Sequence, residues 1–229
     1  MCGRFVRKLY AGTIADEFDV DEVEAELPPS YNVAPSQQVA VVMTDGKKRL
    51  VSMKWGLIPA WSNDPSIGNR LINARAETLI EKPSFREAFT RQRCLVIADG
   101  FYEWQKRGRT KQPYFIHLKA ERPFGFAGLY DVWTSPEGEL ITTCTIITTE
   151  PNEMMKTLHD RMPVILAKEF EDRWLDPYNP DQASLMQMLN PYSASEMEMH
   201  TVSAMVNSVA NDSPECILPA APLGQLALW

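Results

Sequence analysis

The sequence predicts an α+β fold: a single compact domain over residues 1–229, with a strand-rich mixed sheet or barrel-like core and short peripheral helices. Three observations predict it. Seven apolar runs of strand length crowd residues 38 to 149, separated by Gly, Pro and charged turns. Every helical pattern is short, so none can organise a bundle. No internal repeat occurs, and the proline stretches Pro28-Pro29 and Pro177 to Pro180 are too short to link two domains.

Taken in order, Thr13 to Phe18 reads as a first helix with a Thr cap. Gln38 to Met43 and Arg49 to Trp55 flank Asp45-Gly46 and form a hairpin. Ser84 to Thr90 is a helix with Ser at the cap and Glu87 three residues on. Strands follow at Cys94 to Ala98, Phe101 to Gln105, Tyr114 to Leu118, Phe124 to Tyr130 and Ile141 to Thr149, most of one mixed sheet. Asn152 to Leu158 is a further helix, His159 to Pro163 a loop running into the apolar Val164-Ile165-Leu166, and Lys168 to Leu175 and Asp181 to Leu189 are the last helices.

With 229 residues, 45% of them hydrophobic, the chain can bury a core without disulfides or a structural metal. A net charge of −7 argues against a protein that coats nucleic acid by bulk charge. Charge is uneven, however: residues 70 to 111 hold ten bases against five acids, either a solvated face or a local basic site. The opening MCGRFVRKLY has no apolar core of a signal peptide, and no apolar run spans a bilayer, so a cytoplasmic protein with no membrane partner is expected. Cys2, Cys94, Cys144 and Cys216 lie 92, 50 and 72 residues apart with no C-x-x-C, and the three histidines are scattered. Neither a metal site nor a cofactor is expected, and the dinucleotide fingerprint, phosphate loop and nucleophile elbow are absent.

Met1-Cys2 is the sharpest local signal. Removing the initiator methionine leaves Cys2 with an α-amine and a thiol two carbons apart, groups that titrate near ~8 and ~8.5. With an aldehyde the amine gives an imine, and the thiolate then closes a five-membered thiazolidine. The plainer reading is a buried, inert cysteine. Glu103 interrupts the aromatic strand Phe101 to Gln105 and shares a face with Phe101, so it is either a carboxyl with a raised pKa fit for proton transfer or an edge residue facing water. Trp104 is core or a stacking platform. His159 and Arg161 are a proton shuttle and a phosphate ligand, or a loop held by Asp160 and Arg161. Asn73 and Arg75 line a ligand wall or a polar strand edge. Tyr31 to Pro35 and Trp55 to Trp61 are wedges for unstacked bases or, as the composition favours, loops packed on the sheet.

Met1-Cys2-Gly3-Arg4-Phe5, Tyr31-Asn32-Val33-Ala34-Pro35, Trp55-Gly56-Leu57-Ile58-Pro59, Asn73-Ala74-Arg75-Ala76-Glu77-Thr78, Asp99-Gly100-Phe101-Tyr102-Glu103-Trp104 and His159-Asp160-Arg161-Met162-Pro163 occur in one order, with a closing segment Val202 to Pro219. The ordered set resembles the SRAP family, the SOS-response-associated peptidases or abasic-site-processing proteins, over almost the whole chain. The resemblance implies an SRAP-like fold with a basic groove for single-stranded DNA, and a covalent DNA–protein crosslink at abasic sites. It assigns Cys2 as nucleophile, Glu103 and His159 as proton-transfer groups and Asn73 as the group that orients the reaction. It places Arg4, Arg75 and Arg161 on phosphates, and Trp104, Trp61, Asn32 and Pro35 against displaced bases. Met162 stands where the family commonly carries a further arginine. The expected partner is single-stranded DNA containing abasic sites, bound by a monomer, nucleoid-associated if the protein is bacterial. Lyase activity on the imine and self-removal of Met1 belong to the same reading. Two alternatives stay open: an N-terminal-nucleophile peptidase or amidohydrolase, and a non-covalent single-strand binding module.

Overall fold

A computed structural model describes residues 2–220. Met1, on which the expected self-removal falls, and residues 221–229 lie outside the described residues. The chain runs β1 (Phe5–Arg7), α1 (Ala11–Phe18), β2 (Glu22–Val23), β3 (Ser30–Val33), β4 (Gln38–Thr44), β5 (Lys48–Trp55), β6 (Asn73–Arg75), α2 (Pro83–Arg91), β7 (Arg93–Ala98), β8 (Gly100–Arg107), β9 (Thr110–Leu118), β10 (Phe124–Thr134), β11 (Leu140–Thr149), β12 (Met162–Pro163), α3 (Lys168–Leu175), α4 (Gln182–Gln187) and β13 (Met197–Thr201). All seven strands expected from the apolar runs are present, and the Asp45-Gly46 hairpin joins β4 to β5 in antiparallel register from Gln38↔Lys54 to Thr44↔Lys48.

Strands β11, β10, β7, β4 and β5 are neighbours in that order, and β5 pairs back on β11 in parallel through Thr143↔Lys54 and Cys144↔Trp55. The ring is therefore a closed five-stranded barrel. Its strands read as continuous apolar runs because both faces are buried. Val39, Val41 and Met43 of β4 and Cys94, Val96 and Ala98 of β7 share one core with Trp55 and Phe126. The alternate residues Ala40, Val42, Leu95 and Ile97 pack instead with Phe18, Phe85, Phe89 and Trp174 of α1, α2 and α3. Helices cannot fit inside five strands, so the first set fills the barrel and the second lies under the helical layer.

A second sheet, ordered β13-β9-β8-β1-β3, closes one mouth of the barrel. Phe5 of β1 packs on Trp55 at 5.2 Å between ring centroids, and Phe101 of β8 on Phe126 at 6.0 Å. The opposite face of this sheet presents Val6, Tyr102 and Phe115 to the C-terminal residues Val202, Val206 and Cys216. Strand alternation in β8 thus sends Phe101 and Tyr102 to different cores, as its sequence implies.

The departures from sequence have local causes. Helix α2 starts at Pro83, whose fixed φ suits a first helical position, so Ser84 is not the cap. Asn152 to Leu158 shrinks to one 3₁₀ turn, Met155–Thr157, because Asn152 Oδ1 accepts from Met155 N–H at 2.9 Å while its amide donates to the Tyr192 carbonyl. Helix α4 does use Asp181 as its cap, accepting from Ser184 N–H at 3.0 Å, but ends at Gln187. The expected Val164 to Leu166 strand is displaced to Met162–Pro163, with Ile165 making only an isolated bridge to Phe126.

Arg93 joins two helices to the barrel. Its buried guanidinium donates to the Phe89 and Thr90 carbonyls at the end of α2, to the Trp174 carbonyl at 2.8 Å, and to the Asp176 carbonyl beyond α3. Arg93→Met leaves four carbonyls without their donor, and is expected to cost about 3 kcal/mol or more. Urea unfolding tests this: a lowered midpoint at unchanged slope is expected, and a loss below about 1 kcal/mol would show that the helix ends find other donors.

Candidate active site

Strand β5 pairs with only the first half of β11 and leaves at Gly56, whose N–H donates to the Cys144 carbonyl at 2.8 Å. Gly56 has φ +129°, and a Cβ there would stand 2.7 Å from the Gly68 carbonyl oxygen, so only glycine allows the turn. The vacated edge of β11 accepts β6 in parallel, Ile146↔Asn73 and Thr148↔Arg75, while β12 pairs on the other side at Thr148↔Pro163. One strand end thereby gathers the segments carrying Asn73, Arg75, His159 and Arg161.

Cys2 lies just ahead of β1 and is wholly buried in the barrel-mouth core. Asn73 Nδ2 donates to the Cys2 carbonyl at 2.8 Å, while Asn73 Oδ1 is buried without a hydrogen-bond partner. An acceptor held in this way is available to a ligand hydroxyl or N–H. Burial pushes the Cys2 thiol up to about 12; the Glu103 carboxylate adds to the rise, and a hydrogen bond with the Arg4 backbone opposes it. Glu103 is buried in β8, with one oxygen accepting from Trp104 N–H at 3.1 Å. The thiol at rest is therefore S–H, beside a carboxyl group.

Gln105 Nε2 donates to the Thr157 carbonyl at 3.1 Å, tying the Glu103 strand to the turn before His159. His159 Nδ1 lies 2.7 Å from Asp160 Oδ1 and 3.0 Å from the Arg161 N–H. A protonated Nδ1 donates to the carboxylate and an unprotonated one accepts from the amide, so the ring has a partner in either state. Arg161 is held by a bidentate fork: NH1 to Glu77 Oε1 at 2.7 Å and NH2 to Glu77 Oε2 at 3.0 Å, with NH2 also donating to the Thr148 carbonyl at 2.5 Å.

The other expected contact residues fall into two groups. Arg75 and Trp61 are exposed, Trp61 to 57%. Its loop is pinned on both flanks, by Ala60 N–H to Asp131 at 2.8 Å and by Trp133 Nε1 to the Ser62 carbonyl at 2.6 Å. Pro35 is half-buried in a turn tied down by Ser36 N–H to the Trp55 carbonyl at 2.8 Å. Asn32, by contrast, is buried: its Nδ2 donates to the Val206, Ser208 and Asn211 carbonyls and its Oδ1 accepts from Arg4 NH1 at 2.6 Å. It clamps the C-terminal segment rather than facing solvent. Arg4 also donates to the Val206 carbonyl and lies 5.8 Å from the Trp104 ring, and burial pulls its guanidinium below the ordinary value. Trp104 is half-buried, its Nε1 bonded to Asn207 Oδ1 at 2.8 Å. Met162 is buried in the barrel-mouth core and takes no part in the polar surface.

Sequence reasoning passed over Glu77 and Asn207. Glu77 was visible only as a letter of the Asn73 to Thr78 run, and Asn207 only within the closing segment; their partners lie 84 and 103 residues away. Among the described residues no group of three or more His, Cys, Asp or Glu could hold a metal, and no helix is long and apolar enough to cross a membrane.

Residues 1–209 match the family model described as SOS response associated peptidase. The chain belongs to that family. The "Abasic site processing protein YoqW" of Bacillus subtilis (strain 168) is 51% identical over 221 residues, covering 95% of this chain and 99% of that one. The "Abasic site processing protein HMCES" of Gallus gallus is 36% identical over 86% of this chain and 68% of its own length. A crystal structure of a protein from Bacteroides thetaiotaomicron superposes with a TM-score of 0.88 at 30% identity, covering 96% of this chain and all of that one.

The raised thiol predicts slow alkylation of Cys2 in the folded full-length chain at neutral pH. Iodoacetamide labelling mapped to Cys2 should accelerate about tenfold per pH unit without levelling below about pH 10, and level near ~8.5 in urea. A plateau near 8.5 in the folded protein would contradict the burial account.

Proposed function

We propose that this protein processes abasic sites in single-stranded DNA by a covalent crosslink, a thiazolidine between Cys2 and the ring-opened deoxyribose, which protects the lesion during the DNA damage response. The observation that carries this reading is a buried cysteine with an amide bonded to its carbonyl and the Glu103 carboxylate acting on its thiol, on a strand tied to the turn before His159. The names of the relatives add that such proteins process abasic sites.

Loss of Met1 supplies the α-amine. The amine adds to C1′ of the open sugar and expels the aldehyde oxygen as water, giving an imine; the thiol sulfur then adds to the same carbon while its proton passes to nitrogen. The net change is a condensation that releases one water and forms one C–N and one C–S bond. A thiol held as S–H by burial needs a local acceptor, and Glu103 takes that proton and returns it. His159, with a partner for Nδ1 in either protonation state, moves the proton required to open the sugar. Asn73 fixes the Cys2 carbonyl through Nδ2 and offers Oδ1 to the reacting group, a positioning effect worth one to several powers of ten. Elimination from the imine, a lyase reaction, competes only until the ring closes.

For the strand, Arg75 and Arg161 contact phosphates, with Arg4 adding charge from beneath, and Trp61, Trp104 and Pro35 support displaced bases. Asn32 acts through Arg4 and the C-terminal clamp. The overall charge of −7 is tolerable because phosphate contacts act within a Debye length of about 8 Å.

Incubation with an oligonucleotide carrying one abasic site, the mature N-terminus being verified by intact mass, tests the reading. A heat-stable adduct of the Met1-less chain plus DNA minus one water is expected, strongly salt-dependent in its formation and at least about tenfold slower for Asn73→Ala. A free Cys2 terminus without adduct would overturn the proposal. Amide turnover would then favour a hydrolase, and equal binding of intact and abasic strands a plain binding module.

A further inference from the structure

Glu77 is a carboxylate that the proposed chemistry leaves unused inside the proposed DNA contact. It projects from the single 3₁₀ turn Ala76–Thr78 that follows β6, so it rides on the segment that carries Asn73 and Arg75. Its two oxygens fill the NH1 and NH2 fork of Arg161 at 2.7 and 3.0 Å, and the Arg75 charge acts on it as well. The Arg161 hydrogen bond is the main cause that holds Glu77 below the usual carboxylate range, so it is ionised at neutral pH. Arg161 is 14% exposed and anchored to the Thr148 carbonyl, whereas the Glu77 side chain is 52% exposed. The arginine is fixed to the sheet and the carboxylate is the partner that can leave. Arg161 Nε is also buried without a partner beside the fork.

A carboxylate in such a fork occupies the place that two non-bridging phosphate oxygens would take. We propose that Glu77 is an internal competitor for the DNA phosphate at Arg161: the strand binds there by displacing the carboxylate, which lowers affinity for intact DNA and leaves retention to the covalent step. This rests on the strand-binding reading above. Two negative groups cannot share one fork favourably, so Glu77 swings into solvent when phosphate arrives and regains its own counterion. The cation taken up by Glu77 then offsets one released from the DNA, and the salt dependence of wild-type binding is shallower than its phosphate contacts alone would give.

The test measures binding of an intact single-stranded oligonucleotide across a salt series for wild type, Glu77→Gln, Arg161→Gln and the double variant, with adduct formation on the abasic strand run in parallel. Glu77→Gln should bind about three- to fivefold tighter at low salt, with the slope of log affinity against log salt steeper by about 0.7. In the Arg161→Gln background the same substitution should give a clearly smaller gain. Glu77→Asp, which keeps the charge but shortens the reach, should fall between, and guards against misfolding of the first variant. Equal or weaker binding by Glu77→Gln, or an equal gain with and without Arg161, would overturn the role of Glu77. If wild type forms no adduct with the abasic strand, it is the crosslinking reading that fails; an adduct with wild type and unchanged binding by the variants removes only the competitor.

Discussion

The short parallel seam between β5 and β11 is the constraint on which the rest of the molecule depends. Two residue pairs, Thr143↔Lys54 and Cys144↔Trp55, close the barrel, and Gly56 then turns the chain away. Had the seam run on along β11, its edge would be filled. Because it stops, β6 can dock against Ile146 to Thr148 and bring Asn73 to the Cys2 carbonyl. Gly56 and Gly68 approach so closely that a side chain on either would force the loops apart. Barrel closure and site assembly are the same event in this fold.

Burial and reactivity pull in opposite directions at Cys2. The core that includes Phe5, Trp55 and Phe101 holds the residue in one place and also keeps its thiol protonated. In the proposed function, a nucleophile of this kind stays inert toward stray electrophiles until a proton acceptor is engaged, which fits a reaction run once per lesion better than rapid turnover. The charge pattern follows a similar logic. Two of the cations expected on phosphates are already committed: Arg4 to Asn32 and the Val206 carbonyl, Arg161 to Glu77 and the Thr148 carbonyl. In the proposed function, strand binding is an exchange of partners as much as an attraction of opposite charges.

Much of the fold is legible in the sequence because buried strands leave long apolar runs. The seven runs, the Asp45-Gly46 hairpin and α3 are examples. Elements of two to five residues, such as β1, β3 and β13, carry too little periodicity to stand out, and their pairing is set by partners distant in the chain. The ordered motifs point to one family, to which the chain belongs. What a linear reading misses is which polar group meets which. The Asn32 amide reads as a wedge until three carbonyls from Val206, Ser208 and Asn211 are found around it, and Glu77 reads as surface until its fork with Arg161 is seen. Side-chain bonds across 84 to 179 residues have no sequence period.

The most direct measurement of the central claim is the bonding of the captured carbon. An oligonucleotide carrying ¹³C at the abasic C1′ and protein with ¹⁵N at Cys2 allow the isolated adduct to be read by NMR and by tandem mass spectrometry. The account predicts a tetrahedral carbon coupled to the Cys2 nitrogen and bonded also to its sulfur, with Asn73 and Glu103 unmodified. A trigonal imine carbon, a carbon bound to sulfur alone, or attachment at any other residue would contradict it.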